Sequence, residues 1–150
     1  MKEYDSRKDT KRHIKTVAKF LKIISKELRK RGKSHDKSKL LPPEKDFFDI
    51  YTPKLKSLTY GSEEYKRNLE GLQVALKHHY ALNSHHPEYY VNGIADMTLV
   101  DVIEMLCDWK AATLRHDDGN IDKSLEINKE RFNISEQLVS VLKNTVDAYF

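Results

Sequence analysis

Residues 98–116 read TLVDVIEMLCDWKAATLRH, and the way this stretch folds decides the class of the protein. Thr98 followed three residues later by Asp101 is a helix-opening pair, a hydroxyl cap answered by a carboxylate. From there Leu99, Val100, Val102, Ile103, Met105, Leu106, Cys107, Trp109, Ala111, Ala112 and Leu114 make the helix apolar on nearly every side. A helix of that kind belongs at the centre of a helical fold. Against this background Asp101, Glu104 and Asp108 recur at spacings of three and four, which places them on one face. Buried carboxylates are costly unless cations or hydrogen bonds hold them, so a metal ion or basic side chains are expected beside this helix.

The rest of the composition agrees with an all-α fold. The chain has 150 residues, 39% of them hydrophobic and 33% charged, with five Gly and four Pro. That length buries a core without staples and predicts one domain over residues 1–150, a compact single-domain bundle of about six to seven helices. Cys107 is the single cysteine and sits in an apolar run, so a buried thiol and a reducing compartment are expected. From Met1 to Arg12 there is no apolar leader, and no apolar run is long enough to span a bilayer, so a cytoplasmic location without a membrane partner is expected. The net charge is +4, with Lys and Arg dense between Lys2 and Lys39. Such density reads first as a solvated helix face and second as attraction for an anionic substrate or nucleic acid.

Upstream of the central helix, Ile14, Val17, Leu21, Ile24 and Leu28 predict one long helix from Asp5 to Arg31, stopped by Gly32, with His13 on the flank of the stripe. Ser34 is placed to cap a short helix that Pro42-Pro43 ends, and Pro43 to begin another through Phe47, Phe48, Ile50 and Tyr51 until Pro53 interrupts it. After a turn at Gly61, Ser62 caps a helix to Leu82 in which Tyr65, Leu69, Leu72, Leu76 and His79 share one stripe. His79 therefore points where the leucines point, and His78 is rotated about 100° away. Downstream, Asp117-Asp118-Gly119-Asn120 is a turn, Asp122 to Phe132 a helix, and Ser135 the cap of a last helix with Leu138, Leu142, Thr145 and Tyr149 in register. There is no internal repeat and no Gly-rich phosphate loop, so a nucleotide site of the P-loop or dinucleotide type is unsupported.

His78-His79 and His85-His86 bring four of the seven histidines together, the second pair on a loop from Asn83 to Gly93 that also carries Glu88. Imidazole is the commonest metal ligand. In chain order the candidate ligands are His13, His35, Asp36, His79, His85, His86 and Asp108. Mixed imidazole and carboxylate donors suit one or two divalent transition ions, Mn, Fe, Co, Ni or Zn, better than Mg.

This order of motifs resembles the HD-domain metal-dependent phosphohydrolases, in which a helical His, a His-Asp dyad, further histidines and a late Asp follow one another. His35-Asp36-Lys37-Ser38-Lys39 is similar to that family's His-Asp-x-Gly-Lys segment, with Ser38 in place of Gly, and Leu106-Cys107-Asp108-Trp109-Lys110-Ala111-Ala112 to the segment bearing its late Asp. After His85-His86 the chain reads Pro87-Glu88-Tyr89-Tyr90 and lacks the Gly-Tyr-Pro signature of the cyclic-dinucleotide enzymes. The chain also looks like a small bacterial and phage family of undefined function that shares the HHPE and EMLCDWKAA stretches. The HD resemblance implies an HD-like five-helix core, and Asp36 as a bridge between two ions.

The expectation that follows is a phosphohydrolase that cleaves a small anionic phosphoester, with a nucleotide as the leading candidate, by a metal-activated water. Asp36, Lys39, Glu88 and Glu104 are the candidate catalytic residues, Glu88 and Glu104 as acid/base groups or as partners that orient a ligating imidazole. Lys37, Lys39 and Tyr89 are candidates for substrate contact. Two rivals stand beside it: a non-catalytic HD-like module that binds metal or nucleic acid, and a di-iron HD-like oxygenase. Oligomeric state is not legible.

Overall fold

The computed structural model of the protein describes residues 4–58, 63–115 and 119–150, without the side chains of Lys56 and Tyr65. The expected turn at Gly61, the cap at Ser62, the inward Tyr65, His116 and the Asp117-Asp118 half of the later turn lie outside the described residues. Among those described, the protein is helical and has no strand: α1 (Arg7–Ser34), α2 (Glu44–Ser57), α3 (Glu63–Leu82), α4 (Leu99–Thr113), α5 (Ile121–Phe132) and α6 (Glu136–Tyr149). Short 3-10 turns occupy Lys37–Leu40, Pro87–Tyr89 and Gly93–Asp96. The chain divides after Ser34 into two units, α1 and the segment His35–Phe150.

α1 runs through Gly32, where the sequence suggested a stop. One glycine inside a helix costs only about 1 kcal/mol relative to alanine, and the last turn is closed when Ser34 Oγ donates to the carbonyls of Lys30 and Arg31. Ser34 thus ends α1 and caps nothing beyond it. No residue of α1 is buried. Ile14, Val17, Phe20, Leu21, Ile24 and Leu28 line one side, while Lys8, Lys11, Arg12, Lys15, Lys19, Lys22, Lys26, Arg29, Lys30 and Lys33 fall within an arc of about 100° nearly opposite.

In the second unit the core is built by α4, α5, α6 and the connection between the last two through Val102, Met105, Leu106, Trp109, Ile121, Leu125, Ile134, Val139, Leu142 and Val146. The inward stripe of α6 is Val139, Leu142 and Val146, one step round from the expected one, and Tyr149 is exposed. Cys107 is exposed, against expectation, because α4 packs only the side carrying Val102, Met105, Leu106 and Trp109 and leaves Leu99, Ile103 and Cys107 outside. α4 itself begins where expected, with Thr98 and Asp101 in a reciprocal capping box, and ends at Thr113.

α2 and α3 pack against each other. α2 carries Pro53 inside it and continues to Ser57, so the proline does not end the helix. At Gly71 of α3 a Cβ would stand 2.3 Å from the Tyr51 ring, so the missing side chain is what lets the ring of α2 seat there. The pair brings Glu44, the first residue of α2, against the last turn of α3.

Candidate metal centre

The site begins with the dyad His35-Asp36. Asp36 adopts a left-handed conformation (φ 55°, ψ 16°), one that a short polar side chain tolerates, and its carbonyl accepts from Lys39 N at 2.9 Å. The chain bends there, and the next four residues form the 3-10 turn Lys37–Leu40, the expected short helix, entered from Asp36 and not from Ser34.

Two groups of donors converge. Asp36, His79, His85 and His86 each offer one ligand atom, all within 4.8 Å of one another, and His35, His85 and Asp108 do the same. His79 Nε2 lies 3.2 Å and His85 Nε2 3.5 Å from Asp36 Oδ1, and His79 Nε2 lies 2.9 Å from His86 Nε2. The other carboxylate oxygen, Asp36 Oδ2, stands 3.6 Å from His35 Nε2, which is itself 3.4 Å from Asp108 Oδ1. Asp36 therefore turns one oxygen to each group.

Two further carboxylates hold the rings from behind. Glu44, fully buried, takes His79 Nδ1 at 2.9 Å on one oxygen and His78 Nδ1 at 2.7 Å on the other, and it accepts from Ser38 Oγ at 2.9 Å. Glu104 Oε1 meets His35 Nδ1 at 2.9 Å and His85 Nδ1 at 3.3 Å. A carboxylate at Nδ1 fixes the proton there and leaves Nε2 of His79 and His85 bare. Bare imidazole nitrogens then face the Asp36 carboxylate across 3.2–3.5 Å, acceptor against acceptor. Asp36 Oδ1 and His85 Nε2 are accordingly buried without a hydrogen-bond partner. Such an arrangement is stabilised by a cation among the donors, and nitrogen with carboxylate oxygen is a donor set that suits a divalent transition ion.

Electrostatics agree. Burial alone would raise the Asp36 carboxyl, yet His79 and His85, when they carry a proton on Nε2, and the Lys39 ammonium hold it well below the usual carboxylate range, and a bound cation would supply the same positive charge in place of those protons. Asp108 is likewise lowered against burial, chiefly by His35. Asp108, followed by Glu104 and Asp36, raises His35 to about 9, while burial beside His85 and His79 pushes His86 down to about 3. One imidazolium thus balances the acids, and a neighbouring imidazole stays neutral.

The remaining candidates separate. Lys39 Nζ is 2.6 Å from Asp36 Oδ2, at the centre, whereas Lys37 is exposed. Tyr89 is exposed and packs edge-on against Tyr90 at 4.9 Å between ring centres. Glu88 is paired with Arg131 of α5 at 2.6 Å. His13 stands exposed on α1, in the first unit, and belongs to neither donor group. Asp101, on the same face of α4 as Glu104 and Asp108, is buried but serves structure: it accepts from the backbone N–H of the cap residue Thr98 and from Ser84 Oγ at 2.8 Å. Glu44 escaped the sequence reading because an acid in a first helical turn suits the helix dipole and looks no different from Asp46.

Beside the centre a pocket of about 440 Å³ opens, with His86 and Asp108 in its wall along with Tyr80, Trp109, Asn128 and Arg131. A ligand there meets two metal-ligand candidates and an apolar ring surface at once.

The chain belongs to a family of unknown function (DUF5662), whose family model matches residues 2–148. Comparison with curated proteins finds no match. Comparison with solved structures finds none either.

Proposed function

We propose that the protein is a metal-dependent phosphohydrolase whose substrate is a small phosphoester, a nucleotide being the leading case. The observation that carries this reading is the pair of donor groups that share His85, with Asp36 Oδ1 and His85 Nε2 buried and without a hydrogen-bond partner. The open pocket reached from His86 and Asp108 favours a reactive centre over a purely structural ion, whose coordination would be closed.

Asp36, His79, His85 and His86 would hold one ion, and His35 and Asp108, which form the second group with His85, would hold another. Bound there, a divalent transition ion supplies Lewis-acid polarisation of the phosphoryl group and lowers the pKa of water toward neutrality. Glu44 and Glu104 orient the rings by holding Nδ1. Lys39, already against Asp36, carries a positive charge that the phosphoryl oxygens can share. The Glu88–Arg131 pair sits at the pocket and orders its rim.

The test is metal analysis of the purified protein, followed by phosphate release from nucleoside phosphates with and without added Mn or Co. Metal-dependent release that disappears in Asp36→Ala is the expected result. Protein that takes up no metal and is inert on every phosphoester tried defeats the reading.

A further inference from the structure

We infer that α1 is a surface-docking helix for an anionic lipid bilayer, independent of what the metal centre does. No residue of the helix is buried. Ile14, Phe20 and Leu21 are 59%, 58% and 63% exposed, and Val17 and Ile24 are exposed as well. On the opposite side lie the ten cations of one arc, while the acids of α1 are only Asp9 and Glu27. The whole chain is only +4, so the charge is segregated: α1 is strongly basic and the remainder is net acidic.

The partner must satisfy both surfaces together. A nucleic acid neutralises the cations but leaves five large apolar side chains in water. A second copy of α1 can bury the apolar stripe but brings up another basic helix. An anionic bilayer takes the apolar side into the boundary between headgroups and acyl chains, while the lysines reach the lipid phosphates along their alkyl stems. A helix of 28 residues lies about 42 Å along such a surface. None of the described helices is long and apolar enough to cross a membrane, so the association is with a surface, against the expectation of no membrane partner.

The experiment is co-sedimentation of the full chain with vesicles of phosphatidylcholine alone and of phosphatidylcholine mixed with phosphatidylglycerol. Binding to the mixed vesicles only, weakened by salt, is expected. The triple variant Lys15→Gln, Lys19→Gln, Lys22→Gln should lower the partition coefficient about a hundredfold. The variant Phe20→Ser, Leu21→Ser should lower it about tenfold or more. All five positions are exposed, and unchanged far-ultraviolet circular dichroism shows that each variant keeps its helices. The inference is overturned if neutral and anionic vesicles bind alike or not at all. It is overturned equally if the apolar variant sediments as the parent does. Duplex DNA that is bound without vesicle binding, or a dimer that the apolar variant dissociates while vesicles are ignored, also overturns it in favour of those partners.

Discussion

The Nε2 atoms of His79 and His86 lie 2.9 Å apart, and His79 Nδ1 is engaged by the Glu44 carboxylate, so the bare nitrogen of His79 is aimed at the same point as its neighbour's. That convergence predicts tight uptake of a transition ion. At a free concentration about 100 times its dissociation constant, Mn, Co or Zn should raise unfolding stability by about 2.7 kcal/mol. The gain, read from thermal unfolding with and without metal, should vanish in Asp36→Ala; an unchanged shift in that variant removes Asp36 from the centre.

Glu44 tests whether the rings are held from behind. Glu44→Gln cannot accept from both His78 and His79 as the carboxylate does, and metal affinity should fall about 10- to 100-fold. Asp46→Asn, an exposed acid on the same helix, should leave affinity alone. Competition titration against a chelating dye reads both.

His35 should titrate near 9 in the metal-free protein, visible by NMR of its ring protons, and Asp108→Asn should move it back toward 6.5, since Asp108 is the main cause. Its folded pKa lies above the unfolded one, so its contribution is full below pH 6.5 and is lost as pH rises through about 9. His86 has the opposite sign: lowered to about 3, it favours the fold above pH 6.5 and withdraws that support as pH falls toward 3. Metal binding must also displace the proton of His35, so below pH 9 affinity should rise with pH. A pH-independent affinity between pH 6.5 and 9 contradicts this.

Asp101 shares a helix face with Glu104 and Asp108 but not their role. Asp101→Ala removes the carboxylate half of the capping box and the Ser84 bond and should cost about 1–2 kcal/mol in urea unfolding, with metal stoichiometry unchanged. Loss of metal without loss of stability would reverse the assignment.

Two glycines should respond oppositely to alanine. Gly71→Ala drives a methyl into the Tyr51 ring and should destabilise by about 1–3 kcal/mol. Gly32→Ala meets nothing within 4 Å on an exposed helix and should stabilise α1 by up to about 1 kcal/mol. Urea denaturation followed by circular dichroism separates them.

Much of the helical framework was legible because its signals are local. The Thr98–Asp101 pair, the Ser135 cap and the leucine stripe that points His79 inward each depend on residues within a turn or two of one another. Errors arose where packing chose between surfaces of similar composition. α4 is apolar on two sides and buries one, which left Cys107 outside, and α6 turned Val139 inward in place of Thr145's side. Pro53 and Gly32 read as breaks, but their cost is smaller than what a continuous helix secures around them.

By itself the sequence determined the all-α class, several of the helix starts and the identity of most side chains in the histidine–carboxylate cluster, since periodicity and residue chemistry are carried by neighbours along the chain. Which donors meet was decided in three dimensions. The tertiary structure alone set one oxygen of Asp36 toward His79 and His85 and the other toward His35, and it alone recruited Glu44 from a helix start 35 positions away from His79. The reason is physical: a 3.6-residue period fixes direction about one helix axis, whereas a ligand set requires atoms from separate helices within a few ångströms, which only packing imposes.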